Sequence, residues 1–381
     1  MEGVVIAGIG ETAYRSRTEE TEAQLAAIAV QRALDDAGVE AASIDGIIAN
    51  PSGLAADDVI SAFRLGIRFA ATANLGGASM VASLQLAAAA LRSGEANAVL
   101  VFIARRGSSG SRIADRAAHL PGQFFRTQLE HPYGWSTPAQ WYAVICRRHM
   151  DRYGTTKRQL AEVALTMRRH GQLNDRAQLH DRPLTLEAYE AAPVIADPYQ
   201  LYDCCLETDG AAAVIVTTAD RAHRAAGRAI ELAACAVARP ESPDDLSNRA
   251  DWFRIGLSDA APRAFAEAGL GPSDMDAAMI YDCFTFEVLH QLEEAGFCRP
   301  GESGEFVVAG HISLDGKLPV NTHGGLLAEG HLNGLNHVIE GVRQLRGEAG
   351  HRQLPRVRHL AVTGWGNLGD GALAVLRRPG A

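Results

Sequence analysis

A tyrosine and a histidine stand out in this sequence as side chains suited to proton transfer. Tyr281 opens the segment YDCF at the end of a predicted strand, and His331 lies in the glycine-rich stretch NTHGGLLAEGHLNG, residues 321–334. A phenol and an imidazole serve as general acids or bases when their surroundings adjust the pKa. The structural alternatives are a packed core tyrosine and a histidine that caps the following helix. From the residues alone, the helix cap is the favoured interpretation for His331, and both interpretations stay open for Tyr281.

Further residues near these motifs, or at the start of a predicted buried helix, are candidates for contacting a substrate or an oxyanion. They are Gly77, Ser79, Asp282, Cys283, His323 and Gly325. We expect Asp282 to hold its loop through backbone hydrogen bonds. Cys283 is either a small packed residue or a thiol that supplies a nucleophile. His323 suits a substrate contact and a turn equally well.

The sequence shows no pattern typical of a metal site. The spacing of His311, His323, His331 and His337 is not that of zinc ligands, so we expect chemistry without a metal or a bound cofactor. The six cysteines are scattered, and none forms a CxxC pair. Such cysteines are typical of reduced thiols in the cytoplasm rather than of a disulfide scaffold.

The composition excludes several classes of protein. The chain has 381 residues, of which 47% are hydrophobic and 21% charged, as in an ordinary globular protein. Its formal charge of −9 argues against a nucleic-acid surface, which needs a basic face. The N-terminal stretch MEGVVIAGIG has no basic region before an apolar core, and no run is apolar for long enough to span a bilayer. We therefore expect a cytoplasmic protein.

A buried helix is the element around which the candidate residues must be arranged. Residues 73–94, ANLGGASMVASLQLAAAALRSG, are small or apolar almost all the way round until Arg92. The start of a helix carries N–H groups and partial positive charge, which bind anions and activate thiolates. The sequence has Gly77, Ala78 and Ser79 there. The helix therefore offers N–H groups for an oxyanion, but no cysteine.

The chain is built from two similar halves. The pattern DGAxAV occurs at residues 209–214 and again at 370–375, each time closing a series of predicted strands and helices. Alternating strands and helices predict a layered α/β fold, and the self-similarity predicts a duplication. We place the N-terminal half at residues 1–225 and the C-terminal half at 226–381, with an inserted loop region at about 105–205.

The inserted region holds many of the aromatic residues. Helical spacing predicts helices over 142–153 and 160–172 within it. Long insertions of this kind often form binding surfaces. Tyr133, Trp135 and Trp141 are suited to lining an apolar acyl pocket, but packing of the inserted region is the favoured interpretation for them.

Taken together, these features resemble the thiolase superfamily, specifically its sterol-carrier-protein-type branch. The resemblance covers nearly the full length of the chain. It rests on the two DGAxAV segments, the buried helix, YDCF and the stretch 321–334. It implies a five-layered α-β-α-β-α fold made of two halves, each of which places a helix in the middle layer. It also implies a homodimer that binds CoA thioesters under the inserted loop region.

Two departures from that pattern decide the implied chemistry. A thiolase carries a nucleophilic cysteine at the start of the buried helix, where this sequence has Gly77, and a second one near the C-terminus. The matching stretch here, TGWGNLGDG at 363–371, contains no cysteine. The covalent route therefore lacks its first step. The chain resembles instead the thiolase-like aldolases of steroid side-chain degradation, which implies Tyr281 and His331 as catalytic residues. His331 stands where those aldolases tend to have a second tyrosine.

This resemblance also implies a reaction and a partner. Such aldolases cleave a β-hydroxyacyl-CoA by a retro-aldol reaction into a ketone or aldehyde and a shorter acyl-CoA, so coenzyme A enters as part of the substrate. They work with a DUF35-type protein, built from an OB-fold and a zinc ribbon, which implies a heterotetramer. Two alternatives stay open. One is an acetyl-CoA acyltransferase or thiolase whose nucleophile has moved to Cys283 or Ser79, and the other is a non-catalytic lipid-carrier or scaffold subunit.

Overall fold

The computed structural model describes residues 3–110, 112–113, 125–222, 225, 227–241 and 246–380, so part of the predicted inserted region lies outside the described residues. The strands are β1 (Val4–Glu11), β2 (Gly46–Ala49), β3 (Phe69–Ala71), β4 (Ala98–Arg106), β5 (Val194–Ala196), β6 (Tyr199–Gln200), β7 (Asp209–Thr218), β8 (Ile230–Ala238), β9 (Ala277–Met279), β10 (His359–Gly366) and β11 (Asp370–Arg377). The helices are α1 (Glu22–Ala37), α2 (Ala56–Phe63), α3 (Ser79–Ser93), α4 (Pro138–Tyr153), α5 (Lys157–Gln172), α6 (Leu186–Glu190), α7 (Leu257–Ala268), α8 (Thr285–Glu294), α9 (Ser303–Val308), α10 (Gly325–Ala328) and α11 (Leu335–Arg346).

Nine of the described strands form one continuous hydrogen-bonded sheet, whose two similar halves join at β1 and β8. Their hydrogen-bonded order is β3-β2-β4-β7-β1-β8-β11-β10-β9, in which the first five strands precede the last four along the chain. β1 and β8 are joined through two residue pairs, Val5 with Glu231 and Ile6 with Ile230. In each half a parallel pair, β2–β4 or β9–β10, continues into an antiparallel pair, β4–β7 or β10–β11. The predicted boundary at 225/226 falls between β7 and β8 and stays a prediction.

Side chains that alternate along the strands separate the helices into layers. In β4, Leu100 and Phe102 pack with the outer helix α1, whereas Val99 and Val101 pack with α3. α11 packs in the same central cluster as α3, between the two halves of the sheet. α7 packs on the far side of β8 and β11. The expected α-β-α-β-α architecture of two duplicated halves is therefore confirmed.

The two helices predicted in the inserted region are confirmed, and both begin earlier than predicted. Thr137 forms a capping box with Gln140 at the start of α4, and Thr156 forms one with Gln159 at the start of α5. In a capping box the side chains of the cap and of the third helical residue satisfy backbone N–H groups that the first turn leaves unpaired. Apolar spacing alone misses such polar first turns.

The buried helix is confirmed as α3, which begins at Ser79 after a single 3₁₀ turn. The sequence pattern did not indicate α2.

Strand β9 ends at Met279, two residues before Tyr281. Beyond its end the amide of Asn321 takes the place of a neighbouring strand, because its Oδ1 accepts from the N–H of Ile280 and its Nδ2 donates to the Ile280 carbonyl, both at 2.7 Å. None of the described helices is both long and apolar enough to cross a bilayer.

Candidate active site

A cavity of about 390 Å³ brings the main candidate residues together. It opens where the start of α3, the loop after β9, the loop before α11 and the turn between β10 and β11 meet. Tyr281, His331, Gly77, Ser79 and Cys283 all line it. The carboxyl ends of strands and the N-termini of helices are where α/β folds commonly bind ligands. The location therefore suits a substrate site.

The ring of Tyr281 is fixed between two glycines. A Cβ atom added to Gly77 would lie 2.3 Å from the ring, and one added to Gly334 would lie 3.2 Å from it. On the backbone side, the amide of Gln291 donates to the Tyr281 carbonyl at 2.6 Å, and the Tyr281 N–H lies 3.4 Å from Oγ1 of Thr363. The missing side chains at both glycines therefore make room for the phenol.

His331 is held through its backbone and both of its ring nitrogens. Its N–H donates to Oγ1 of Thr208 at 2.9 Å, and its carbonyl accepts from the guanidinium of Arg105. Nε2 lies 3.1 Å from the hydroxyl of Tyr281, and Nδ1 lies 3.4 Å from Sγ of Cys205. The Tyr281 and His331 rings meet edge to face with centroids 6.1 Å apart. The two predicted catalytic residues are in direct contact.

The protonation of Tyr281 follows from its burial. Burial raises the pKa of Tyr281 well above its usual value, and nearby acidic groups raise it further. The phenol is therefore neutral at physiological pH and donates or relays a proton instead of acting as a phenolate. Its hydroxyl also lies 3.4 Å from Oδ1 of Asn333. The Nδ2 group of Asn333 donates to the Gly76 carbonyl at 3.0 Å, which ties the phenol to the start of α3.

The two places where a thiolase carries its cysteines lie at this cavity and carry no thiol. At the start of α3, a Cβ on Gly77 would lie 2.3 Å from the carbonyl oxygen of Trp365 as well as from the Tyr281 ring. At the turn between β10 and β11, the fully buried Trp365 lines the cavity together with Leu368. The phenol of Tyr281 thus occupies the space that a nucleophilic side chain at position 77 would need.

The two candidate replacement nucleophiles are Ser79, whose hydroxyl is hydrogen-bonded, and Cys283, whose thiol is protonated. The hydroxyl of Ser79 donates to the Gly76 carbonyl at 2.7 Å and accepts from the N–H of Leu75 at 3.0 Å. A hydrogen bond with Cys205, together with burial, raises the pKa of the Cys283 thiol well above its usual value. A thiol that stays protonated at neutral pH is a poor nucleophile. These contacts disfavour covalent catalysis at either residue.

Three of the predicted site residues do not line the cavity and support the loop before α11 instead. The carboxylate of Asp282 accepts from the N–H of Leu326 at 2.8 Å and lies 3.1 Å from Nε2 of His337. Nδ1 of His337 lies 2.9 Å from Nε2 of His323. Gly325 has a φ of 64°, and a Cβ there would lie 2.0 Å from the Asp282 carboxylate. Asp282 holds the loop as expected, whereas His323 and Gly325 lie away from the space for a substrate.

Glu287 is a cavity residue that the sequence reasoning missed. Its Oε2 accepts from the N–H groups of Cys283 at 2.8 Å and Phe284 at 3.3 Å, as in an N-terminal cap of α8. Its Oε1 has no hydrogen-bond partner among the described residues. Burial raises the pKa of Glu287 well above its usual value. Since Glu287 lines the cavity, this raised pKa favours a protonated carboxyl there, which is able to donate a hydrogen bond.

Cys205 is a second residue that sequence spacing did not indicate. Its N–H donates to the Cys283 carbonyl at 2.8 Å, and its Sγ lies 3.3 Å from Sγ of Cys283. A bridge between Cys204 and Phe284 brings the two segments together. Because 78 residues separate the two thiols, their contact depends on the tertiary fold.

The wall beyond the reacting groups is largely apolar. It includes Pro51, Pro138 and Trp141. The favoured packing interpretation of Trp141 is thus incomplete, because its ring also faces the cavity, with the guanidinium carbon of Arg126 3.7 Å from the ring centroid. Tyr133 is 89% exposed. An apolar wall of this kind suits a hydrocarbon group.

The layered fold, the contact between Tyr281 and His331 and the glycine at position 77 together define a thiolase-like protein. Residues 239–378 match the family model described as Thiolase C-terminal domain-like. A relative from Mycobacterium tuberculosis, 17-hydroxy-3-oxo-4-pregnene-20-carboxyl-CoA lyase, is 36% identical over 371 residues, covering 94% of this chain and 95% of the relative. The chain belongs to the thiolase superfamily.

Two further similarities agree with this assignment. The steroid side-chain-cleaving aldolase of Thermomonospora curvata is 34% identical over 355 residues, covering 90% of this chain and 90% of the relative. The solved structure of the Ltp2-ChsH2(DUF35) aldolase matches with a TM-score of 0.91 and 32% identity, over 99% of this chain and 98% of that chain. The predicted fold class and the resemblance to thiolase-like aldolases are confirmed.

Proposed function

We propose that this protein is a carbon–carbon lyase that cleaves a β-hydroxyacyl-CoA by a retro-aldol reaction. The observation that carries the proposal is the contact of 3.1 Å between Tyr281 and His331, in a cavity where the phenol fills the place of a nucleophile at position 77. Retro-aldol cleavage needs a base for the β-hydroxyl, donors for an enolate oxygen and an acid for the carbon. It does not need an acyl-enzyme.

The first step is removal of the proton from the β-hydroxyl. Tyr281 accepts this proton as its own phenol proton passes to Nε2 of His331, which lies 3.1 Å away. The carbon–carbon bond then breaks, and its electron pair moves onto the α-carbon and the thioester oxygen. The former hydroxyl oxygen becomes the carbonyl of the released ketone or aldehyde. His331 thus acts as the terminal base of the pair, and Tyr281 is the group that touches the substrate.

The second step is protonation of the enolate. The N–H group of Gly77, in the turn that leads into α3, holds the thioester oxygen while it carries negative charge. Glu287, whose pKa is raised by burial, is the acid that delivers a proton to the α-carbon. The shorter acyl-CoA then leaves. Side chains of this chain supply both proton transfers, so we propose a reaction without a resident metal, with coenzyme A present only as part of the substrate.

The substrate that we propose is a steroid side-chain CoA ester. The name of the Mycobacterium tuberculosis relative specifies a hydroxyl at carbon 17 and a CoA-linked carboxyl at carbon 20. In such a compound the hydroxyl is β to the thioester carbonyl, which is the arrangement that a retro-aldol reaction requires. The apolar wall around Pro138 and Trp141 suits the carbon skeleton.

We further propose a homodimer that associates with a DUF35-type protein into a heterotetramer in the cytoplasm. The likeness to the solved Ltp2-ChsH2(DUF35) aldolase over 99% of this chain supports such a partner. All six cysteines are free thiols, which agrees with a reducing compartment.

The test is incubation of the protein, with and without a DUF35-type partner, with a 17-hydroxy steroid bearing a CoA-linked carboxyl at carbon 20. We expect ketone and acyl-CoA to be released in equal amounts without free CoA, as measured by liquid chromatography and mass spectrometry. No cleavage in the presence of the partner overturns the proposal. A requirement for free CoA, with an acyl adduct on Cys283 or Ser79 in the intact mass, would instead identify a thiolase.

A further inference from the structure

Three soft ligand atoms converge on the side of His331 that faces away from Tyr281. Sγ of Cys205 lies 3.3 Å from Sγ of Cys283 and 3.4 Å from Nδ1 of His331. All three atoms lie within 4.8 Å of one another. Two thiolates and an imidazole are the donor set that zinc and cadmium prefer over magnesium or calcium.

We propose that Cys205, Cys283 and His331 form a binding site for a thiophilic divalent cation, Zn²⁺ or Cd²⁺, whose occupation switches the proton-transfer pair off. The binding site itself is independent of the proposed aldolase reaction. The loss of activity on binding rests on that reaction.

The geometry is close to what a tetrahedral ion requires. With Zn–S bonds of about 2.3 Å and Zn–N bonds of about 2.0 Å, the sulfur atoms stand about 3.8 Å apart and each sulfur about 3.5 Å from the nitrogen. The Sγ–Sγ distance of 3.3 Å therefore needs to open by about half an ångström, which small side-chain rotations supply. The backbones are already held together, because the Cys205 N–H donates to the Cys283 carbonyl at 2.8 Å.

The group of three side chains borders the substrate space. Cys283 and His331 both line the cavity, so an ion held between them would have water or a substrate oxygen within reach as a fourth ligand. Two thiolates and one histidine with an open fourth position is a known arrangement for zinc. On binding, both thiols would release their protons to the solvent. The doubly charged ion then neutralises the two thiolates, so the buried site gains no uncompensated charge.

Binding at Nδ1 would disable the imidazole as a base. An ion on Nδ1 leaves the ring proton on Nε2, which then donates to the Tyr281 hydroxyl at 3.1 Å and cannot accept its proton. The proton relay from the substrate through Tyr281 to His331 is then blocked. Metal binding therefore prevents catalysis, because it fixes His331 in the tautomer that carries the ring proton on Nε2.

The binding test uses the purified full chain, kept reduced with a phosphine and freed of metal. Cd²⁺ is added while the ultraviolet charge-transfer band between thiolate and cadmium is recorded. We expect one ion per chain, and at least a tenfold lower affinity in Cys205→Ser and in Cys283→Ser. Cys204→Ser is the matched control, because Cys204 neighbours the site without belonging to the three-atom group. Equal Cd²⁺ binding by Cys205→Ser and the unaltered protein overturns the site.

The activity test follows lyase turnover while Zn²⁺ is added and then removed with a chelator. We expect reversible loss of more than nine-tenths of the activity in the unaltered protein and in Cys204→Ser. The inhibition constant should rise at least tenfold in Cys205→Ser, measured against that variant's own activity. Zn²⁺ that leaves turnover unchanged, or raises it, overturns the switch. The Cd²⁺ titration does not depend on turnover, so it tests the metal site even if the protein has no lyase activity.

Discussion

The hydroxyl of Tyr281 lies 3.1 Å from Nε2 of His331. Nδ1 of the same imidazole already has the Cys205 thiol as its neighbour at 3.4 Å. Both ring nitrogens are thus engaged. In the proposed reaction the imidazole therefore receives the substrate proton through the phenol, so that Tyr281 touches the substrate and His331 finally holds the proton.

We expect Tyr281→Phe to lower kcat by about a hundredfold or more, because the relay loses the group between substrate and imidazole. The control is Tyr142→Phe, which removes the hydroxyl of a second buried tyrosine that lines the same cavity but contacts the Leu368 N–H at 3.3 Å. Ketone release under saturating substrate measures both. Equal losses in the two variants would contradict the assigned role of Tyr281.

Substituting both Tyr281 and His331 should lower kcat by little more than substituting either residue alone. His331→Ala is expected to lower kcat by about a hundredfold, and the Tyr281→Phe/His331→Ala double variant by a similar factor, because groups that act as one unit are not additive. Four kcat values, from the unaltered protein, the two single variants and the double variant, complete the cycle. If the fold-reduction of kcat in the double variant equals the product of the two single reductions, the two residues have independent roles.

Glu287→Gln should slow turnover without weakening the fold. Burial raises the pKa of Glu287 and so favours its neutral carboxyl, for which a neutral amide of the same shape is a close replacement. The amide is not an acid, and we expect kcat to fall roughly ten- to a hundredfold while the melting temperature stays the same. Glu294→Gln is the matched control. Glu294 is also on α8, with a pKa raised to about 7 by burial, but it bonds to Ser258 and does not line the cavity.

Gly77→Ala should destabilise the protein and disturb the phenol. Its Cβ would lie 2.3 Å from the Tyr281 ring and from the Trp365 carbonyl oxygen, and overpacking of this kind costs about 1 to 3 kcal/mol. We expect a lower melting temperature and a lower kcat. Gly66→Ala is the control, since no heavy atom lies within 4 Å of a Cβ at that glycine. A Gly77→Ala variant as stable and active as Gly66→Ala would disprove the contact.

Stability in acid should depend on Glu11. Burial alone would raise the pKa of Glu11, but Arg343 at 2.6 Å and Arg176 at 2.7 Å outweigh it and lower that pKa from 4.5 to about 2. Because the folded pKa is the lower one, the stabilisation is complete above pH 4.5 and is lost as the pH falls towards 2. Tyr14, which donates to the carboxylate at 2.6 Å, has its pKa raised by burial and by Glu11 and stays neutral throughout.

The measurement is the melting temperature of the unaltered protein and of Glu11→Gln between pH 7 and pH 3. Glu11→Gln should be the less stable at pH 7, because the buried side chain of Arg343 loses its carboxylate. The difference between the two proteins should shrink towards pH 3. A constant difference over this range would show that the Glu11 carboxylate does not carry the effect.

Much of the fold follows from local patterns in the sequence. The nearly continuous apolar surface of residues 73–94 predicts a buried helix, and the helix α3 lies in the central apolar cluster. The repeated DGAxAV pattern marks β7 and β11, which hold equivalent places in the two halves. The start of α4 and the end of β9 were misplaced because side chains, those of Gln140 and Asn321, replace backbone hydrogen bonds there.

The site was less predictable than the fold. Tyr281 and His331 are recognisable because each sits in a motif, and the structure places them in contact. Glu287 looks like an ordinary helix cap, and one of its oxygens does serve as one. Whether its other oxygen faces a cavity depends on packing from distant segments. Cys205 approaches His331 from 126 residues away, which no spacing rule along the chain reveals.

The close approach of Gly77 and Tyr281 also constrains the evolution of the protein. A cysteine at position 77 is blocked while the phenol occupies its space. If Tyr281 is exchanged first, the proton relay is lost before any thiol has arrived. In the proposed reaction, each substitution made alone therefore impairs the protein, whichever of the two comes first. A change from the proposed aldol reaction to thiolysis would need both substitutions together with the cysteine that residues 363–371 lack, and the first obstacle to it is a steric overlap at one glycine.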